Sequence, residues 1–203
     1  MLLYERTTSG HAYKIRLLLS ILKIPYESVL ISAENGRNIV DDAYRKLNPR
    51  GQIPTLCDGD ISLWGSTSIL FYVASRYDRD RLWLPEDVVT SSRVMQWMDF
   101  AQTDIHGLFL DRAITHFGYP GDLQAARQQG RRALDILDDR LVRNDWLVGD
   151  HPTIADIACF PYVAVADRAE FQLASRHGVM TWLERITKID GFVSMPGMAG
   201  FDG

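Results

Sequence analysis

Three short segments carry residue types whose spacing could bind a small peptide-like ligand. In Asn48-Pro49-Arg50-Gly51-Gln52-Ile53-Pro54-Thr55-Leu56, Pro54 stands at the entrance of a strand, where its missing N–H costs least. On the dipeptide alone Ile53-Pro54 is expected trans. A cis bond, only about 0.5 to 1 kcal/mol higher, would leave the Ile53 N–H and C=O facing outward, where an extended ligand can pair with them. Ser66, preceded by Gly65, opens a helical pattern; its hydroxyl and the unpaired N–H groups of the first turn suit either an N-cap or a carboxylate site. Ser9 stands just before the first amphipathic helix, where it can cap the N–H of His11 or Ala12. A fourth feature is a pair: a rotation of about 100° per residue puts Arg112 and His116 on the apolar side of one helix, with Val94, Ala101 and Ile105, and His106 on a polar face with Asp99 and Thr103. That pair either lines a cleft or places cations at a helix C-terminus.

The elements that would position these residues read from periodicity. Met1 to Tyr4 forms a first strand, and His11 to Lys23 a helix with Ala12, Ile15, Leu18, Leu19 and Leu22 inward and Lys14 and Arg16 on the wet side. Tyr26 to Ile31 is a second strand and Asp41 to Leu47 a short helix. Thr55 to Cys57 and Ile61 to Trp64 form a hairpin about Asp58-Gly59, and Ser66 to Tyr77 a third helix. The result is a βαβ plus ββα unit over 1–78, a charged linker over 79–88, and an all-helical domain over 89–203. Val94 to Phe109, Ala126 to Leu141, Thr153 to Asp167 and Val179 to Ile189 supply its helices. Thr153-Ile154-Ala155-Asp156 is a capping-box variant, which assigns Asp156 to folding.

Composition narrows the function. With 203 residues, a net charge of −4 and no long Lys or Arg run, the chain lacks the footprint of a nucleic-acid or anionic-membrane binder, which favours small ligands. The longest charge-free apolar stretch, Ile157 to Ala166, is 10 residues and reads as buried helix. No secretory signal is expected at Met1 to Arg6, and only Cys57 and Cys159 are present, which fits a reducing cytoplasm and builds neither a zinc quartet nor a C-x-x-C dithiol. No metal is expected.

Four motifs together resemble the glutathione S-transferase family: Asn48 to Leu56, Ser66-Thr67-Ser68-Ile69-Leu70, Ser9 to Arg16 and Thr153 to Ala158, in the family's order along nearly the whole chain. The resemblance implies a thioredoxin-like N-terminal domain (βαβαββα) followed by an all-α domain, a homodimer, and glutathione as cosubstrate. It implies that Gln52, Ile53, Pro54, Gly65, Ser66 and Asp104 bind glutathione, with Asp104 reaching across the dimer to the ligand's amino group, and that Arg112 and His116 face the electrophile. Arg50, Arg37 and Asn38 are lesser candidates. Ser9 takes the sulfur, as in serine-type members, although Tyr4, Thr7, Thr8 and His11 could also reach it. A free thiol with a pKa of about 8.5 is only about 3% thiolate at pH 7; lowering it by 2 units requires roughly 2.7 kcal/mol of thiolate stabilisation.

Departures from the family pattern matter as much. Relatives carry Glu or Gln where this chain has Gly65, so an acceptor for the γ-glutamyl amino group is missing. Cysteine-type members have Cys near position 9, and the maleylacetoacetate isomerases a Ser-Ser-Cys cluster; this chain has Thr8-Ser9-Gly10. The expected function is transfer of the glutathione thiolate to a small hydrophobic electrophile. The alternatives are a non-catalytic binding or scaffolding protein on the same fold, and a glutathione-dependent dehalogenase or peroxidase.

Overall fold

The computed structural model describes residues 1–34, 37–38, 40–167 and 170–198, with the side chains of residues 34 and 37 outside the description. The expected order is found. Strand β1 (Leu2–Glu5), helix α1 (Gly10–Ile21), β2 (Glu27–Leu30), α2 (Asp42–Leu47), β5 (Thr55–Asp58), β6 (Ile61–Trp64) and α3 (Ser66–Tyr77) form the first unit, with a two-residue pair β3 (Ala33–Glu34) and β4 (Arg37–Asn38) inserted before α2. The four-stranded sheet runs β2-β1-β5-β6, with β1 parallel to β2 and antiparallel to β5. This is the thioredoxin-like arrangement. The hairpin turn falls one residue later than the Asp58-Gly59 expected: Asp58 pairs with Ile61, so Gly59-Asp60 is the two-residue loop and Gly59 carries the positive φ, +59°.

The remainder is helical: α4 (Val88–Thr103), α5 (His106–Phe117), α6 (Leu123–Leu141), α7 (Ile154–Ala164) and α8 (His177–Thr187), with a short 3-10 turn at Leu173–Ser175. Asp87, Asp122 and Thr153 cap α4, α6 and α7. The capping box at α7 forms as expected. Asp156 accepts from the backbone N–H of Thr153 (2.9 Å) and Leu147 (3.1 Å) and from the Trp182 indole (2.9 Å), a fully buried carboxylate whose pKa burial raises. Cys57 and Cys159 are free thiols. Among the described residues no helix is long and apolar enough to cross a membrane.

Helix α1 departs from its amphipathic reading. It packs on α3 on one side and on α7 on the other, so Lys14, expected in water, is fully buried. Its ammonium has no hydrogen-bond partner among the described residues and lies 5.8 Å from the Tyr162 ring centroid. Burial lowers its pKa to about 8.

The long helix expected from Val94 through Phe117 is two. At Ile105 the backbone bond reaches back five residues to Phe100, and at Gly107 and Leu108 only three, to Asp104 and Ile105. This change of pitch resets which side chains after Asp104 face the core.

Candidate functional site

A cleft of about 620 Å³ lies between the sheet-bearing unit and the helices. One wall begins at the β1–α1 turn. Buried Glu5, bonded to Arg16 and to Ser28 Oγ (2.8 Å), anchors the end of β1, and Arg16 also donates to the Thr7 carbonyl (2.9 Å), so the turn leading to Ser9 is held from both sides. Ser9 caps α1: its Oγ accepts from the Ala12 N–H at 3.3 Å. Because that bond uses the oxygen, the hydroxyl proton remains available to a ligand in the cleft.

The proline loop is fixed through one carbonyl. Gln52 C=O accepts from the Tyr44 hydroxyl (2.6 Å) and from Asn48 Nδ2 (2.7 Å), and the following Ile53-Pro54 bond is cis. Gln52, Ile53 and Pro54 line the cleft beside Ser9.

Helix α3 begins at Ser66 as expected, but its cap differs. Gly65, not Ser66, is the N-cap, at φ +87°, ψ 126°, a conformation that disfavours side-chain-bearing residues although a Cβ there would meet nothing closer than Ser68 Oγ at 3.9 Å. Ser66 is the first helical residue and makes no side-chain cap. Instead its Oγ accepts from Gln102 Nε2 (3.3 Å) and lies 3.4 Å from His11 Nδ1. Burial, with Lys14 next in effect, holds the His11 pKa well below the ordinary value, so the imidazole is neutral at pH 7 and its Nδ1 can accept from Ser66.

The opposite wall is aromatic. Phe109 from α5, Tyr119 beyond it and buried Tyr162 from α7 line the cleft with His106, and Phe109 packs edge-on to Tyr162 (centroids 5.4 Å apart) and Tyr119 (6.4 Å). Arg112 crosses to the other wall, where its Nη1 donates to the Thr8 carbonyl at 3.0 Å, and its guanidinium lies 4.9 Å from the Phe117 centroid.

Seven of the expected site residues therefore meet: Ser9, Gln52, Ile53, Pro54, Gly65, Ser66 and Arg112. Two do not. His116 is exposed on the last turn of α5, outside the cleft, and His106 takes the lining position instead, because the α4–α5 break rotates the faces assigned from a continuous helix. Asp104 is the α4 C-cap, its carboxylate accepting from Thr103 Oγ1 (2.6 Å), and does not line the cleft of its own chain. Of the rivals to Ser9, Thr8 and His11 line the cleft, whereas Thr7 does not and Tyr4 packs on Tyr44 (5.4 Å). Arg50 and Asn38 line it; the Arg37 side chain lies outside the described residues. Sequence reasoning missed Gln102, Arg6, Tyr119 and Tyr162. The one signal for Tyr162 was its phenol inside an otherwise apolar run.

Comparison with known proteins agrees with this fold. Residues 3–81 match the model of the glutathione S-transferase N-terminal domain and residues 120–189 that of the C-terminal domain. The chain belongs to the glutathione S-transferase family. It is 27% identical to glutathione S-transferase GstB of Escherichia coli K12, over 92% of each chain, and 28% identical to the disulfide-bond oxidoreductase YfcG of the same organism, over 91% of this chain and 88% of that one. A crystal structure of a glutathione S-transferase from Pseudomonas fluorescens superimposes with a TM-score of 0.85 at 31% identity, covering 96% of this chain and 98% of that one.

Proposed function

We propose that this protein binds glutathione along the proline loop and the start of α3, holds its sulfur as thiolate with the Ser9 hydroxyl, and transfers it to a small hydrophobic electrophile in the aromatic half of the cleft. The observation that carries this reading is the Ser9 side chain: its oxygen accepts from the Ala12 N–H, its proton has no acceptor among the described residues, and it lines the cleft with Ile53 and Ser66. A hydroxyl donor at a helix N-terminus favours the anion over the thiol. Catalysis is then mainly ionising and positioning a nucleophile that the cosubstrate supplies.

Gln102 answers the vacancy at position 65. Its Nε2 is engaged with Ser66, which leaves the amide oxygen beside the α3 start as an acceptor for the γ-glutamyl ammonium. The reading includes a homodimer working in the cytoplasm, with Asp104 offered across the dimer to the same ammonium. Exposed Phe71 and Met95 on neighbouring faces of α3 and α4, at 48% and 36% of full exposure, favour such pairing.

The test is retention on immobilised glutathione, followed by the ultraviolet thiolate absorbance of the bound ligand in wild type and Ser9→Ala. Retention with a Ser9-dependent thiolate is expected. Retention without it would move the role to Thr8 or His11, and no retention would leave the scaffolding alternative standing.

A further inference from the structure

The charge of the cleft runs against that of the chain. Although the protein carries a net −4, the cleft is lined by Arg6, Arg50 and Arg112 and, among the described residues, by no Asp or Glu. Among the described residues none of these three guanidinium groups has a carboxylate at ion-pair distance, and Arg6 and Arg112 are partly buried. A half-buried cation without a counter-charge has lost hydration that nothing in the protein replaces, and a bound anion restores the balance.

Glutathione brings two carboxylates, and the glutathione wall already offers sites for two: the start of α3 at Ser66, and the proline loop with Arg50. Arg112 stands on the other wall. It comes from α5, beside Phe109, Tyr119 and Tyr162, and the bond to the Thr8 carbonyl, its one hydrogen bond among the described residues, uses only one of the five N–H groups of its fork. Burial is the main cause that lowers its pKa; Tyr162 opposes it, and Arg6 adds the smallest share. Arg6, held through Asn38 Oδ1 at 3.0 Å, is a second guanidinium with no carboxylate partner among the described residues.

We infer that the electrophile suited to this cleft is a flat aromatic compound bearing a carboxylate, its ring against Phe109, Tyr119 and Tyr162 and its carboxylate on the Arg112 fork. A planar two-oxygen anion matches that fork better than a point charge would. The inference rests on the transferase reading and specifies its second substrate. In the reaction the sulfur lone pair forms the C–S bond, the halide of an aryl halide leaves with the C–halogen pair, and the thiol proton has already passed to solvent.

The experiment compares 4-chloro-3-nitrobenzoate with its methyl ester, each kcat/KM divided by the uncatalysed rate with glutathione so that intrinsic reactivity cancels. Wild type is expected to favour the acid by roughly tenfold or more, the scale of one charge-assisted contact. Arg112→Gln should bring the acid-to-ester ratio near unity whatever it does to both rates, and Arg112→Lys should keep part of the preference. Calorimetric binding of the two preformed S-aryl conjugates gives the same ratio without turnover. Equal treatment of acid and ester by wild type, or a ratio unchanged in Arg112→Gln, overturns the inference while leaving the transferase reading intact. Failure of wild type to bind glutathione at all overturns both.

Discussion

On the wall contributed by the sheet, α1 and α3, the cleft is shaped by turns and helix starts, the Ser9 cap, the proline loop fixed through Gln52 C=O, and the α3 start at Gly65 and Ser66, with Arg6, His11 and Arg50 alongside. On the wall contributed by the helices it is shaped by large side chains, Phe109, Tyr162 and Arg112, which come from α5 and α7 and are placed only by how those helices pack. The first kind of wall suits what every peptide ligand shares. The second can change its substrate with a few side chains and leave the scaffold intact.

The largest effect expected comes from the seam between the walls. Lys14 is buried there with its folded pKa at about 8 against an ordinary 10.5, so below pH 8 both folded and unfolded states hold the proton and the folded state bears the full cost of burying it. Between pH 8 and 10.5 the unfolded chain binds more protons, and stability rises with pH. Lys14→Met should therefore stabilise the protein by about 3 kcal/mol at pH 7. The advantage should shrink as pH passes from 8 to 10.5, read as the difference between the two proteins' urea midpoints. A pH-independent difference would show that the ammonium finds a partner.

Ser9→Ala breaks the wall of turns and helix starts most directly. Losing roughly 2 pKa units of thiolate stabilisation should lower kcat/KM by up to about a hundredfold below pH 6.5, with the deficit closing above pH 8.5, where the unassisted thiol ionises. A deficit constant across pH would assign Ser9 to positioning alone. Gly10→Ala presses on the opposite wall: a Cβ there would stand 2.7 Å from the Tyr162 ring, so a loss of roughly 1 to 3 kcal/mol in stability is expected from chemical denaturation. The smallest effect belongs to Gln102→Ala, which should weaken glutathione about tenfold by calorimetry and leave unchanged the binding of an analogue whose γ-glutamyl amino group is removed. Equal losses for both ligands would deny Gln102 the ammonium.

The same contrast explains what was legible from residue order. Local signals served the first wall well: Ser66–Tyr77 emerges with the bounds its periodicity predicts, and Ser9, Ile53, Pro54 and Ser66 gather as the motifs imply. Local signals were slightly off where one residue decides geometry, as in the hairpin loop at Gly59-Asp60 and the Gly65 cap. They failed on the second wall. Extending one helical phase through Asp104 exchanged His106 for His116, because a change of pitch carried by three backbone bonds leaves no mark in hydrophobic spacing. Lys14 was placed in water because a helix covered on two sides by different parts of the chain reads as amphipathic until its second neighbour is known. Gln102 reaches Ser66 across 36 positions, and no short-range pattern encodes that meeting.

On the proposed reading, the contact between Gly10 and Tyr162 ties acidity to selectivity. Tyr162 belongs to the aromatic wall of the cleft, yet it is also the seat on which the residue next to Ser9 rests. Any repacking of α7 to admit a bulkier guest would shift the seat and, with it, the proton donor one position away. Exchanging the helical portion for that of a cousin would carry over part of the thiol's tuning along with the guest preference, so the two traits are inherited as a pair.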